Sequence, residues 1–154
     1  MDAAETPHAL SRKAERMLGE GDRLPEVTLL DDKGSTVKTT DLLGGPLVLY
    51  FYPKDDTSGC TSEASQFRDI FDRFEEKKAR IVGVSRDSVE SHRQFKQKYS
   101  LPFTLLADTE SALYTALGVN ARTTFLIGGD GRILKVWPKV NVDEHAEDVL
   151  ASLP

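Results

Sequence analysis

The feature that most constrains the fold is the apolar run PLVLYFYP at residues 46–53. It has no polar alternation, so a strand formed by it needs cover on both faces, which is typical of a central strand between two layers. The run is also far too short to span a bilayer. We therefore predict a buried central strand in a layered sheet, and we expect no membrane association.

Strand-like and helix-like patterns alternate along the chain. Phe67, Ile70, Phe71 and Phe74 fall at i, i+3, i+4 and i+7, which predicts one amphipathic helix over 61–77. The other predicted elements are an N-terminal β-hairpin at 27–39, strands at 79–85 and 101–108, helices at 88–99 and 111–118, a second hairpin at 123–137 and a helix over 146–153. This order predicts an α/β fold with three layers and a mixed central sheet.

The length of the chain indicates one domain. Its 154 residues are enough for a single hydrophobic core. We place this domain at residues 19–154. Residues 1–18 are expected to be an N-terminal extension with a short helix over 8–18, which Gly19 and Gly21 would end.

Charge and composition exclude several classes of partner. The net charge is -5, and lysine and arginine are scattered among acids rather than gathered in a stripe, so we expect no nucleic-acid partner. The N-terminus lacks the apolar stretch of a secretory signal, which favours a cytoplasmic protein. The single cysteine, Cys60, cannot form an intramolecular disulfide, and this agrees with a reducing compartment.

Cys60 is predicted to lie at or next to the N-cap of the helix after the central strand. The first-turn N–H groups and the helix dipole stabilise a thiolate there by about 1–2 kcal/mol. Making a cysteine about nine-tenths ionised at neutral pH takes about 3.4 kcal/mol, so a second positive group is needed. Arg122 precedes a predicted strand, at a position where ligands gather in open α/β sheets. The arginines on helices, by contrast, are expected to be solvated: Arg68, Arg73 and Arg93.

Taken alone, none of these residues indicates a reactive site. A lone intracellular cysteine is more often a small buried hydrophobe. An isolated arginine is more often a surface ion-pair partner. Only the combination of a helix start, a nearby threonine and a strand-end arginine favours a reactive Cys60.

Several segments resemble one known family. The pattern P-x-x-x-T-x-x-C at residues 53–60 resembles the peroxidatic motif of the peroxiredoxins. With LYFYPKD, TSEA, GVSRDS and ARTTFLIG around it, the chain is similar to the bacterioferritin comigratory protein or peroxiredoxin Q subfamily over about residues 20–150. The resemblance implies a thioredoxin-like fold, reduction of hydrogen peroxide and organic hydroperoxides, and no cofactor.

The resemblance also implies a role for five residues. Cys60 would be the peroxidatic thiolate that attacks the peroxide and becomes a sulfenic acid. Thr57 would hydrogen-bond the thiolate and the peroxide, and Pro53 would close the pocket to water. Arg122 would stabilise the thiolate and the charge that develops as the O–O bond stretches, with Glu63 fixing its guanidinium.

This chain departs from the subfamily pattern at the resolving cysteine. Many members carry it five residues after the peroxidatic cysteine, where this chain has Ser65, and others carry it near Phe95 and Lys96. Ser58 also stands where a proline is common. The resemblance therefore implies a one-cysteine enzyme reduced by an external thiol, with thioredoxin, glutaredoxin with glutathione, or another small thiol as candidates.

A monomer or weak homodimer is expected. The alternative function is a redox sensor or binding protein without rapid turnover.

The remaining titratable residues suggest no further site. His8, His92 and His145 lack metal-ligand spacing, so we expect surface or helix-face histidines and no metal. Asp55 and Asp56 are adjacent in a loop, and we expect solvated turn acids rather than a catalytic pair.

Overall fold

The computed structural model describes residues 17–154. The helix predicted at 8–18 lies outside the described residues apart from Met17 and Leu18, and so does His8. The Leu18 N–H group donates to the carbonyl oxygen of Leu117 at 3.0 Å, and Met17 packs against the same core. The chain thus contacts the domain just before the predicted boundary at residue 19.

The described part of the chain forms seven strands and five α-helices. The strands are β1 (Thr28–Asp31), β2 (Thr36–Lys38), β3 (Leu47–Phe51), β4 (Arg80–Ser85), β5 (Thr104–Ala107), β6 (Thr123–Ile127) and β7 (Ile133–Trp137). The helices are α1 (Ser58–Asp69), α2 (Phe71–Glu76), α3 (Val89–Tyr99), α4 (Ala112–Leu117) and α5 (His145–Ala151), with a short 3-10 helix at Thr39–Leu42. None of these helices is long and apolar enough to cross a membrane.

The strands form one mixed sheet in the order β2-β1-β5-β4-β3-β6-β7. β3, β4 and β5 run parallel, whereas β6 pairs antiparallel with the other side of β3. β3 is buried along its whole length and alternates between two cores. Val48 and Tyr50 face the core under α1, α3 and α5, whereas Leu49 and Phe51 face the core under α4. The predicted α/β class, mixed sheet and central strand are confirmed.

The helix predicted at 61–77 is wrong in its start and its continuity. It begins earlier, at Ser58, because Thr57 has the extended backbone of an N-cap residue, and it is broken at Ile70, which leaves helical geometry. The apolar spacing does not reveal the break, because Phe67, Ile70, Phe71 and Phe74 all still pack on the same core. Cys60 is therefore the third residue of α1 rather than a neighbour of its cap.

Candidate active site

Cys60 lies at the start of α1, directly beyond the carboxyl end of the central strand β3. The N–H group of Thr61 makes the first helical hydrogen bond, to the carbonyl oxygen of Thr57 at 2.8 Å. The N–H groups of the residues before it have no intrahelical acceptor and form the positive end of the helix dipole. The Cys60 side chain is 1% exposed, so its sulfur is held in this field with little screening by water. The sulfur therefore lies at the positive end of the helix dipole.

Arg122 provides the second positive group. Its Nη2 is 3.4 Å from the Cys60 sulfur, and its Nη1 is 2.6 Å from Oε1 of Glu63. The register of β6 against β3 pairs Thr123 with Phe51, which brings Arg122 beside the loop that follows β3. The structure thus brings Cys60, Arg122 and Glu63 together, as the sequence predicted for the arginine.

The other arginines considered from the sequence bind elsewhere. Arg68 donates to the carbonyl oxygen of Tyr99, Arg73 pairs with Glu147, and Arg93 pairs with Glu90. Each of these contacts lies on a helix surface away from the cysteine.

Burial shapes the charges of the Arg122–Glu63 pair. The Glu63 side chain is 1% exposed, and this burial raises its pKa to about 7 although Arg122 acts in the opposite direction. Burial alone would lower the pKa of Arg122, but Glu63 and Cys60 outweigh it, and the net shift is upward. Arg122 therefore stays a cation. The two terminal nitrogens of its guanidinium group form a fork, of which one contacts a carboxyl group and the other a sulfur.

Gly59 is part of the site, although the sequence reasoning did not single it out. A Cβ at this position would lie 3.2 Å from Nη2 of Arg122 and 3.9 Å from its Cζ. The missing side chain therefore leaves room for the guanidinium against the first turn of α1. A glycine in a first helical turn, directly before the candidate nucleophile, was the available signal.

Pro53 and Thr57 are exposed and lie in the segment that leads from β3 to α1. The Thr57 hydroxyl donates to the carbonyl oxygen of Lys54 at 3.0 Å. The hydrogen bond to sulfur that the resemblance implies is thus not made in this state. A rotation of the Thr57 side chain would be needed to make it.

The loop between Pro53 and Thr57 corrects the expectation of solvated turn acids. Asp55 is 8% exposed, and its carboxylate contacts Tyr52, Ser91 and His92. It is buried because β3 delivers the loop onto α3, which the sequence of the loop alone does not show. Asp56 is exposed as expected.

Both described histidines are buried, not on the surface. His92 is 0% exposed on the inner face of α3, and His145 is 3% exposed at the start of α5. Nε2 of His145 is 2.9 Å from the Thr124 hydroxyl, and its ring packs edge-on against Phe67 and Trp137. Burial lowers the pKa of His145 to about 4, so it is neutral at physiological pH.

The positions at which the resemblance would place a resolving cysteine hold other residues. Ser65 is half-buried on α1. Phe95 is buried in the core, and Lys96 pairs with Asp32 at 3.0 Å. Cys60 is the only cysteine of the chain.

Comparison with known proteins gives one consistent group of matches. The family model described as AhpC/TSA matches residues 20–136. The chain is 45% identical over 146 residues to peroxiredoxin Bcp of Bacillus subtilis, covering 86% of this chain and 93% of that protein. The bacterioferritin comigratory protein of Xanthomonas campestris, studied for alkyl peroxide reduction, matches with a TM-score of 0.80 at 37% identity, covering 82% of this chain and 88% of that one. BcpB of Mycobacterium tuberculosis matches with a TM-score of 0.84 at 34% identity, covering 88% and 96%.

Proposed function

Because the chain belongs to the AhpC/TSA family and is a peroxiredoxin of the Bcp or peroxiredoxin Q type, with a thioredoxin-like fold, we propose that it reduces peroxides through Cys60 alone, with a thiol from another molecule as reductant. Family membership makes it a thiol-dependent peroxidase.

In the proposed oxidation step, the Cys60 thiolate attacks one peroxide oxygen and the O–O bond breaks. The sulfur becomes a sulfenic acid, and the other oxygen leaves as hydroxide or alkoxide, which takes a proton from solvent to give water or alcohol. Arg122 stabilises the thiolate and then the negative charge on the leaving oxygen, while Glu63 holds the guanidinium. Thr57 would donate to the sulfur or peroxide after turning from Lys54.

The contact between Arg122 and Cys60 carries this assignment. A guanidinium nitrogen 3.4 Å from a buried sulfur is a charge-assisted contact that a merely structural cysteine does not need. The same fork is fixed by Glu63 at 2.6 Å, so it is already oriented before peroxide arrives. Pro53, in the same segment as Thr57, would limit access of water to the sulfur.

The proposed reduction step needs an outside thiol, because the chain has no second cysteine. A reductant thiolate attacks the sulfenic sulfur and releases water, and a second thiol then breaks the mixed disulfide to restore Cys60. Thioredoxin, glutaredoxin with glutathione, and small thiols all supply this chemistry. A cytoplasmic location, where such thiols are kept reduced, and a monomeric or weakly dimeric state complete the proposal.

A steady-state peroxidase assay with purified protein tests the catalytic part. We expect hydrogen peroxide and an organic hydroperoxide to be consumed with thiol reductant, and a dimedone adduct on Cys60 to appear by mass spectrometry. Cys60→Ser should lose both, whereas Ser65→Ala should keep both. Equal turnover by wild type and Cys60→Ser would reject the proposal, and oxidation of Cys60 without recycling by any reductant would favour the sensor function.

The same assay identifies the reductant. Thioredoxin with its reductase, glutaredoxin with glutathione, and dithiothreitol are compared at matched thiol concentrations. Saturation kinetics with one protein reductant would assign the partner. Equal rates proportional to thiolate concentration would assign a general small thiol instead.

A further inference from the structure

His92 is fully buried, and both of its ring nitrogens face oxygen atoms. Nε2 is 2.9 Å from the carbonyl oxygen of Leu106, and Nδ1 is 2.7 Å from Oδ2 of Asp55. A carbonyl oxygen can only accept a hydrogen bond, so Nε2 carries a proton. The remaining proton between Nδ1 and Asp55 belongs either to the ring or to the carboxyl group.

The other contacts of Asp55 decide where that proton lies. Oδ1 is 2.6 Å from the Tyr52 hydroxyl, and Oδ2 is 2.8 Å from the Ser91 hydroxyl. Burial, followed by the charges of Tyr50 and Asp55, raises the pKa of Tyr52 well above its ordinary value, so this hydroxyl keeps its proton and donates it. A carboxylate that accepts several hydrogen bonds is stabilised in its ionised form. These contacts support a proton on His92, which would then be an imidazolium opposite an ionised Asp55.

The backbone of Asp55 is fixed as firmly as its side chain. Its N–H group donates to Oδ2 of Asp87 at 2.8 Å, and the same oxygen accepts from the Ser85 hydroxyl at 2.6 Å. Ser85 ends β4, so the loop is tied to the sheet as well as to α3. These contacts hold the loop from two directions.

The next residue shows how tightly the loop is held. Asp56 has a φ of 60°, in the left-handed region that non-glycine residues rarely adopt. Its carboxylate bonds to Lys98 and Tyr99 of α3. Such a backbone persists where its surroundings over-determine it. Thr57, the N-cap of α1, follows directly, and Cys60 lies three residues further on.

The same cluster could be considered as a metal site. Ligand atoms of Asp55, Asp87 and His92 lie within 4.8 Å of one another. However, Oδ2 of Asp87 already accepts two hydrogen bonds, and Nε2 of His92 points to a carbonyl oxygen. Donors of the protein thus already occupy these ligand atoms, and an imidazolium–carboxylate pair explains the cluster better than a metal ion.

We propose that His92 and Asp55 form a charged imidazolium–carboxylate pair that positions the loop carrying Pro53, Thr57 and the start of α1, and so sets the Cys60 site for reaction with peroxide. Both are positioning residues, since neither touches the sulfur. The effect on peroxide reduction rests on the proposed function, whereas the effect on access to Cys60 does not.

Nitrogen NMR of the histidine side chains tests the charge. At about pH 7.5, where an unperturbed histidine is mostly neutral, we expect two protonated nitrogens for His92 and one for His145. Assignments come from His92→Gln and His145→Gln. Asp55→Asn should remove the second protonated nitrogen of His92. A neutral His92 in the wild type would overturn the proposal, as would stoichiometric Zn²⁺ binding that displaces its N–H signal.

Reaction rates test the positioning. For His92→Gln, per folded molecule, we expect oxidation of Cys60 by hydrogen peroxide to fall about tenfold or more, as misplaced reacting groups do. Ser91→Ala is the matched control, because it removes a neutral donor to the same Oδ2 of Asp55. We expect the Asp55→Asn/His92→Gln double variant, which carries no unpaired charge, to recover part of the rate.

Alkylation separates failure of this inference from failure of the peroxidase function. At about pH 9.5, where cysteine thiols are largely ionised, iodoacetamide reports only access to the 1% exposed sulfur. We expect faster alkylation in His92→Gln than in wild type or Ser91→Ala. If His92→Gln, confirmed as folded by circular dichroism, matches wild type in alkylation, the pair does not position the loop, whatever the peroxidase assay shows.

Discussion

Two ion pairs lie near the loop that leads to Cys60, and they are built differently. In Arg122–Glu63 the cation is 18% exposed, and Oε2 of Glu63 has no hydrogen-bond partner among the described residues. In His92–Asp55 the side chains are 0% and 4% exposed, and both oxygens of Asp55 accept hydrogen bonds. The first pair is unsaturated, whereas the second has all of its polar atoms engaged.

This difference matches what each side of the loop has to do. During peroxide reduction the charge near the sulfur changes, and an unsaturated pair can adjust to that change. Arg122 already shares its fork between Glu63 and Cys60. A saturated pair resists change, because removing either partner leaves a buried charge unpaired. In the proposed reaction, the Arg122–Glu63 pair would therefore serve the chemistry, and the His92–Asp55 pair would serve the geometry.

The largest expected effect comes from removing the cation of the unsaturated pair. We expect Arg122→Ala to lower the rate of Cys60 oxidation by hydrogen peroxide about 10²–10³-fold, the usual loss of one preorganised donor to developing charge. The pH midpoint of iodoacetamide alkylation should also move upward, because the thiolate loses its nearest positive group. Stopped-flow oxidation and a pH series of alkylation rates measure the two effects.

Two further variants calibrate the Arg122 result. Arg122→Lys keeps a positive charge without the fork and should give an intermediate rate. Arg93→Ala removes an exposed arginine of α3 and should change neither measurement. An unchanged alkylation midpoint in Arg122→Ala would remove Arg122 from the site.

Replacement of Glu63 tests the Arg122–Glu63 pair through the pH dependence of the free energy of unfolding. Its pKa is raised from 4.5 to about 7, so the folded state binds more protons than the unfolded state between these values. Its contribution to the free energy of unfolding therefore falls as pH rises from about 4.5 to about 7, by up to about 3 kcal/mol. Glu63→Gln keeps an acceptor for Arg122 and removes this fall.

Urea unfolding across this pH range measures the effect. The free energy of unfolding of Glu63→Gln relative to wild type should rise with pH. Glu75→Gln, on the exposed face of α2, should run parallel to wild type. A constant difference between Glu63→Gln and wild type would show that Glu63 stays ionised throughout, and the two ion pairs would then be more alike than their contacts indicate.

Gly59 tests the geometry of the fork without removing a charge. In Gly59→Ala the new methyl group would lie 3.2 Å from Nη2 of Arg122, so the guanidinium has to shift. We expect peroxide oxidation to fall about tenfold through misplacement of the cation. Ser58→Ala, one residue earlier on the exposed side of α1, is the control. A wild-type rate in Gly59→Ala would show that the fork tolerates displacement.

The fold and the reactive half of the site could largely be predicted from the sequence. The apolar run at 46–53 requires a central strand, and a strand followed by an amphipathic helix places Cys60 at a helix start. Arg122 could be identified from the sequence because it directly precedes a strand. The motif that resembles the peroxiredoxins added the role of Glu63.

The contact between Asp55 and His92, which is proposed to position the loop, could not be predicted in the same way. Asp55 and His92 are 37 residues apart, and their contact depends on how α3 packs beside the loop. In the sequence, Asp55 lies in a polar loop, a pattern that favours exposure. His92 lies at helical spacing from Val89 and Phe95, and this spacing does not show which residue its ring contacts. The break of α1 at Ile70 was hidden for a related reason, because apolar spacing reports the face of a helix and not its continuity.

The smallest expected effect comes from a third ion pair on the same loop, Lys98–Asp56, whose side chains are 59% and 41% exposed. Asp56→Asn removes its charge, but asparagine tolerates a φ of 60° and can still accept from Tyr99. Water and salt screen an exposed pair, so we expect no measurable change in melting temperature or peroxide rate. Asp56→Val, whose branched side chain disfavours this backbone, should lower the melting temperature. If Asp56→Asn instead slowed oxidation as much as His92→Gln, the exposed charge rather than the buried pair would hold the loop, and the contrast between adjustable and fixed pairs would fail.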